Sequence, residues 1–159
     1  MQREITYELT PELARIGVRR FIFRNTRLFH IYFPIIMVIG IAGLVVGKGE
    51  VIWWFLTVFP IFYALMWLHY YIQMTKIIDE NPDRSVTVRF APDSITFQSS
   101  ESSSTMKWPR IKMLWSFPDV LLVFFYGRGL YAMIPVAPLG EELRHFIQDK
   151  VKENGGKVV

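Results

Sequence analysis

The 159-residue chain contains no cysteine, and two long stretches of it contain no Asp, Glu, Lys or Arg. Without cysteine the protein has no disulfide, no thiolate metal ligand and no cysteine nucleophile. The uncharged stretches are residues 28–47 and 51–72, so all 18 basic and 14 acidic residues lie outside them. The whole chain is 52% hydrophobic and 16% aromatic, which is more apolar than an ordinary soluble domain. We therefore expect one part of the chain to contact lipid and the rest to contact water.

Each uncharged stretch has the length of a membrane-spanning helix. The 20 residues of 28–47 and the 22 residues of 51–72 would extend over about 30 and 33 Å at a helical rise of about 1.5 Å, which matches a bilayer core. Only Lys48-Gly49-Glu50 separates them, and so short a connection requires an antiparallel pair of helices. The sequence thus predicts a transmembrane hairpin with both termini on one side of the membrane.

Basic residues are distributed unevenly around this predicted hairpin. Five arginines lie between residues 15 and 27, immediately before the first span, whereas the turn carries only Lys48. The five are Arg15, Arg19, Arg20, Arg24 and Arg27. Cytoplasmic flanks carry the excess of Lys and Arg, so we expect both termini in the cytoplasm. The five arginines lie on a helix that the motif Thr10-Pro11-Glu12 predicts to begin at residue 11, before the first span. There they either bind anionic lipid headgroups or only fix the orientation of the first span.

Two sets of residues inside the predicted spans are candidates for close contacts. Gly40, Gly43 and Gly47 would let two helix backbones approach each other, either within the hairpin, which we favour, or in a dimer or partner-helix contact. His30 and His69 fall at similar depth in the hairpin, as a pair that holds a haem, a pigment or a metal would. We favour an interfacial position for both histidines and predict no cofactor. The absence of charge in the spans argues against a pump or ion channel.

The remaining segments predict a small α+β domain. Residues 3–9 alternate apolar and polar side chains, which is typical of a strand, and short strands separated by turns follow from Ser85. An amphipathic helix follows Pro138. We expect a small antiparallel sheet or partly open barrel that the N-terminal strand joins and the C-terminal helix covers. The predicted segments are 1–10 (strand), 11–27 (basic helix), 28–72 (hairpin), 73–84 (linker) and 85–155 (cytoplasmic domain).

The sequence contains no recognisable catalytic motif, so we predict that the protein is not an enzyme. The Ser99–Ser104 run lacks a nucleophile-elbow pattern, and Glu141 with His145 is interpreted as a surface pair on the last helix. Lys107, Arg110, Lys112 and Arg128 form a candidate basic patch. Residues 73–159 carry 11 basic and 10 acidic residues, a near balance that argues against nucleic acid as a partner.

Four motifs in order carry a family resemblance. They are I-T-Y-E-L-T-P-E near the N-terminus, V-R-F-A-P-D-S-I-T-F, M-K-W-P-R-I before a hydrophobic strand, and Met133-Ile134-Pro135 ahead of the last helix. In this order, around a two-helix hairpin, they resemble the YcxB-like family of small bacterial membrane proteins over nearly the full length.

The resemblance implies a C-terminal domain similar to pleckstrin-homology (PH) folds, facing the cytoplasm from the bacterial inner membrane, with no catalytic residues. We therefore expect a membrane-anchored interaction or scaffold protein that presents this domain to a protein partner or to a second copy of itself. The alternative is an accessory subunit of a larger bioenergetic or pigment-containing membrane complex.

Overall fold

The computed structural model describes residues 3–47, 50–79, 85–100, 102–126 and 130–159, without the side chains of 28–30 and 77–79. Its described residues form an α+β structure, as the sequence predicts, with helices and two sheets. The chain divides into two compact units. We call Met1–Gly17 with Ile77–Val159 the β unit and Val18–Lys76 the helical unit.

The first helix, α1 (Pro11–Asn25), begins where the sequence predicts. The Thr10 hydroxyl accepts a hydrogen bond from the Leu13 backbone N–H at 3.2 Å, and the Thr10 carbonyl accepts one from Ala14 at 3.0 Å. Proline at the first helical position needs no backbone donor there, so the start is well satisfied. Thr26 follows α1, and its hydroxyl donates to the Ile22 carbonyl at 2.6 Å.

Two apolar helices, α2 (Arg27–Val46) and α3 (Val51–Asp79), form the rest of the helical unit. They run antiparallel, because Phe33 near the start of α2 contacts Tyr63 at 5.9 Å between ring centroids, while glycines near its end lie against the start of α3. The structure differs from the sequence at residues 73–79, which were predicted as a linker and are helical. No proline or glycine interrupts that segment, and Pro82 comes only after it, so nothing ends the helix earlier.

The first sheet of the β unit contains four antiparallel strands in chain order. They are β1 (Arg3–Glu8), β2 (Ser85–Phe90), β3 (Ser94–Gln98) and β4 (Ser103–Lys107). The N-terminal strand pairs with β2 over its whole length, from Arg3 opposite Phe90 to Glu8 opposite Ser85. A strand of six residues gains its stability from such pairing, so the first residues of the chain complete a sheet made more than 70 residues later.

The second sheet has the order β7-β6-β5-β8. Its strands are β5 (Ile111–Ser116), β6 (Val120–Phe125), β7 (Leu130–Pro135) and β8 (Lys157–Val158). The described strands thus form two sheets, where the sequence predicted one small antiparallel sheet or a partly open barrel. A 3-10 turn at Trp108–Arg110 separates β4 from β5, because Pro109 lacks the backbone donor that a continuous strand would need. The parallel strand β8 also extends the domain beyond its predicted end at residue 155.

Both sheets and the helix α4 (Gly140–Glu153) share one hydrophobic core. Leu143, Ile147 and Val151 recur at helical spacing on α4 and are buried in it. Trp108 is also buried: its indole N–H donates to the Ala91 carbonyl at 3.0 Å. A buried tryptophan with its polar atom satisfied packs at little cost, and here it lies at the junction of the two sheets.

Candidate functional site

The exposed face of α1 carries both cations and an aromatic side chain. Arg15 and Arg19 are exposed, and Phe23, one helical turn further on, is 60% exposed. Arg27, at the start of α2, is exposed as well. The other two predicted arginines, Arg20 and Arg24, are partly buried and have interactions within the structure. The exposed face of α1 thus combines cations with an aromatic ring, and the sequence pattern did not identify Phe23 as a member of it.

The three candidate glycines of α2 lie against α3. A Cβ added at Gly40 would be 2.7 Å from the Thr57 hydroxyl oxygen, and one added at Gly43 or Gly47 would overlap the Trp53 indole. Gly43 and Gly47 therefore provide the space that the Trp53 ring occupies, and α2 and α3 approach closely along this line. A dimer or partner-helix contact of these glycines, the alternative from the sequence, stays a prediction.

A cavity of about 290 Å³ lies within the helical unit, near the junction of α1 and α2. Its lining is formed by Ile22, Thr26, Phe33, Pro34, Tyr63, Ala64 and Trp67. Apolar and aromatic side chains dominate this lining, and no Asp, Glu, Lys or Arg takes part in it. A lining of this composition favours apolar contents over ions.

The two histidines are not brought together by any described contact. His69 is exposed on α3, and the side chain of His30 lies outside the described residues. Among the residues that the structure describes, no group of three or more metal-ligating side chains occurs. The hypothesis of a cofactor held by this pair therefore remains a prediction from the sequence.

Titratable side chains of the β unit do not converge on a catalytic arrangement within the described ranges. Glu141 and His145 approach to 3.8 Å on α4, and both are strongly exposed. Burial raises the pKa of Tyr7 well above its usual value, and its hydroxyl donates to the Met133 carbonyl at 2.6 Å. This phenol is a structural group, because its proton is committed to a backbone acceptor.

One end of the second sheet combines exposed apolar side chains with cations. Tyr126 follows β6 and is 67% exposed, while Leu130 begins β7 and is 69% exposed. The Arg110 guanidinium donates to the Tyr126 hydroxyl at 2.8 Å and lies 5.7 Å from the centre of its ring. Lys112, on β5 beside this end, is exposed. Arg110 and Lys112 belong to the basic patch that the sequence predicts, whereas the exposed Tyr126 and Leu130 were not predicted. Arg128, the fourth cation of that patch with Lys107, lies outside the described residues, as do Gly127 and Gly129.

The class of protein that this geometry defines is an α+β unit, without a catalytic arrangement among its described residues, in the same chain as apolar helices. A family model described as YcxB-like protein matches residues 90–149, from the last residue of β2 into α4. The match confirms, over these residues, the resemblance expected from the sequence motifs. No curated protein and no solved structure matches the chain.

Proposed function

We propose that the protein is a non-enzymatic interaction or scaffold protein, anchored in the bacterial inner membrane, that presents the β unit at the cytoplasmic surface. The observation that carries this proposal is the length and apolar composition of α3. Within the described part of the chain, Val51–Lys76 is the one helix that is long and apolar enough to cross a membrane, and Ile31–Val46 is a shorter apolar helix. Most large apolar side chains of both helices are exposed, which is unfavourable in water and favourable in lipid.

The contact between α2 and α3 supports a hairpin of two spans rather than a single one. An antiparallel partner of similar apolarity lies along α3 from Phe33 to Gly47. If α3 crosses the bilayer, its close contact with α2 takes α2 into the same hydrocarbon layer. The exposed Arg15, Arg19 and Phe23 on α1 then fit the cytoplasmic headgroup region, where cations attract anionic lipids and aromatic rings are enriched.

The β unit supports the interaction half of the proposal. Two sheets that share a core with a C-terminal helix are consistent with the PH-like domain that the family resemblance implies. PH-like folds in other proteins bind lipids, peptides or proteins, although a fold alone does not define a function. The partner that we propose is a protein or a second copy of this chain.

Membrane insertion is tested by placing charge on the lipid-exposed face of α3. Phe62 and Leu65 are both exposed near the middle of the helix, and each arginine there costs about 2.5–3.5 kcal/mol on insertion scales. When membranes are extracted at alkaline pH, we expect the double variant Phe62→Arg with Leu65→Arg to be released from the membrane fraction that retains the wild type. A matched control, Gln98→Arg on the exposed end of β3, should stay in it. Retention of the double variant at the wild-type level would contradict the anchor.

The interaction is tested by native electrophoresis and affinity purification after mild detergent extraction. We expect a homo-oligomer or a stoichiometric protein partner. A monodisperse monomer without a partner would contradict the proposal. Co-migration with a coloured complex, together with a Soret or pigment absorption band, would favour the alternative accessory subunit with His30 and His69 at the contact.

A further inference from the structure

We propose that the end of the second sheet formed by Arg110, Lys112, Tyr126, Leu130 and Lys157 is a membrane-docking surface that binds an anionic bilayer. In this arrangement Tyr126 and Leu130 enter the lipid interface and the three cations attract the headgroups. The inference rests on the proposed membrane anchor, which would keep the β unit beside a bilayer at high effective concentration. It adds a second and reversible contact between the protein and the membrane.

The apolar part of this surface is unusual for the β unit. Among its described large hydrophobic side chains, the strongly exposed ones are Tyr126, Leu130 and the terminal Val159. Tyr126 and Leu130 both lie at the same end of the sheet, because Leu130 pairs with Phe125, the residue before Tyr126, across β6 and β7. Two large apolar side chains exposed at the same end of a sheet, in a unit whose other described large apolar side chains are mostly buried or partly buried, indicate a surface that is covered by something apolar.

The backbone at Tyr126 supports a role for its side chain. Its φ is +55°, a left-handed conformation that glycine or asparagine adopts more readily than tyrosine. A bulky aromatic residue at such a position is strained, and strained positions concentrate where the side chain has a task. The Arg110 contact holds the phenol by its hydroxyl and by its ring, so the amphipathic ring is presented in a fixed orientation.

The charges around the two apolar residues select an anionic partner. Arg110, Lys112 and Lys157 are all exposed, and Lys157 pairs with Met113, next to Lys112 on the neighbouring strand. Within the described residues none of the three forms an ion pair with a carboxylate. Cations that remain unneutralised beside an aromatic and an aliphatic side chain match the negative headgroups and apolar boundary of an anionic leaflet.

A fluorescent label tests this surface directly, because the chain has no native cysteine to compete for it. The full-length Leu130→Cys variant is labelled with a nitrobenzoxadiazole (NBD) maleimide and reconstituted in nanodiscs of phosphatidylcholine, with or without phosphatidylglycerol. We expect a blue shift of NBD emission and loss of quenching by aqueous iodide only in the anionic discs. High salt should reverse both effects, since surface charges are then screened.

Two variants make the test specific. Lys112→Gln with Lys157→Gln, in the Leu130→Cys chain, leaves Tyr126 and Arg110 intact and is expected to abolish the shift. The label placed instead by Gln98→Cys, on the exposed end of β3, should stay accessible to iodide in every lipid.

Four results would overturn the inference. A chain that enters the discs while the Leu130→Cys label stays aqueous in anionic lipid would refute docking and leave the anchor intact. An equal shift in neutral discs would refute the selection of an anionic bilayer, and an equal shift in detergent would identify a protein contact, such as a second copy, in place of the bilayer. Failure of the wild-type chain to enter the discs would overturn the anchor and, with it, this inference.

Discussion

Replacing Tyr7 by phenylalanine removes one hydroxyl from the β unit, and the consequence depends on pH. The hydroxyl on β1 donates to the Met133 carbonyl on β7 at 2.6 Å, so it connects the two sheets. A hydrogen bond of this kind contributes about 0.5–1.5 kcal/mol. Near neutral pH, we expect Tyr7→Phe to lower the free energy of unfolding by about 1 kcal/mol. Urea unfolding of the detergent-solubilised chain, followed by near-ultraviolet circular dichroism, measures this difference.

At alkaline pH we expect the wild type to lose the higher free energy of unfolding that it has over Tyr7→Phe near neutral pH. Because burial raises the pKa of Tyr7, the folded protein keeps the phenol neutral while the unfolded chain ionises it near its usual pKa of about 10. The stabilising contribution is therefore complete below about pH 10 and is lost as the pH rises above it, by about 1.4 kcal/mol at pH 11. We expect the gap between wild type and Tyr7→Phe to close by pH 11. A gap that stays the same from pH 8 to pH 11 would refute the reasoning.

Two further substitutions test the packing of the two units. Ile147→Ala removes a fully buried side chain of α4 from the core that both sheets share, and we expect a loss of about 2–5 kcal/mol in the same urea experiment. Gly43→Val would force a side chain into the Trp53 ring, so the detergent-solubilised hairpin should lose thermal stability and become sensitive to protease. Ala42→Val, at an exposed neighbouring position of α2, should have little effect; equal sensitivity of the two variants would contradict the proposed close packing.

The helical regions and the boundaries of most strands could be predicted from the sequence because their signals are local. Uncharged runs, Pro11 at a helix start, and alternation on either side of the Pro92 turn each act within a few residues. The N-terminal strand was also predictable, since a short amphipathic strand requires a partner.

The division into two sheets was not predictable in the same way. It depends on how Trp108 packs in the core, which is a tertiary outcome, as well as on the turn at Pro109, which has a local cause in the missing backbone donor. The strand Lys157–Val158 is too short to show any periodicity. Surface chemistry was missed for a related reason. Phe23 and Tyr126 resemble core residues in a sequence, and only the folded chain identifies which aromatic side chains remain exposed.

The central claim, a membrane hairpin with the β unit on the cytoplasmic side, is tested most directly by cysteine accessibility in bacterial cells. Glu50→Cys lies in the turn between α2 and α3, and Ser102→Cys lies between β3 and β4; both native residues are exposed. We expect a membrane-impermeant maleimide to label Glu50→Cys in spheroplasts and to label Ser102→Cys only after lysis. Labelling of both positions in intact spheroplasts, or protection of both until lysis, would contradict the account.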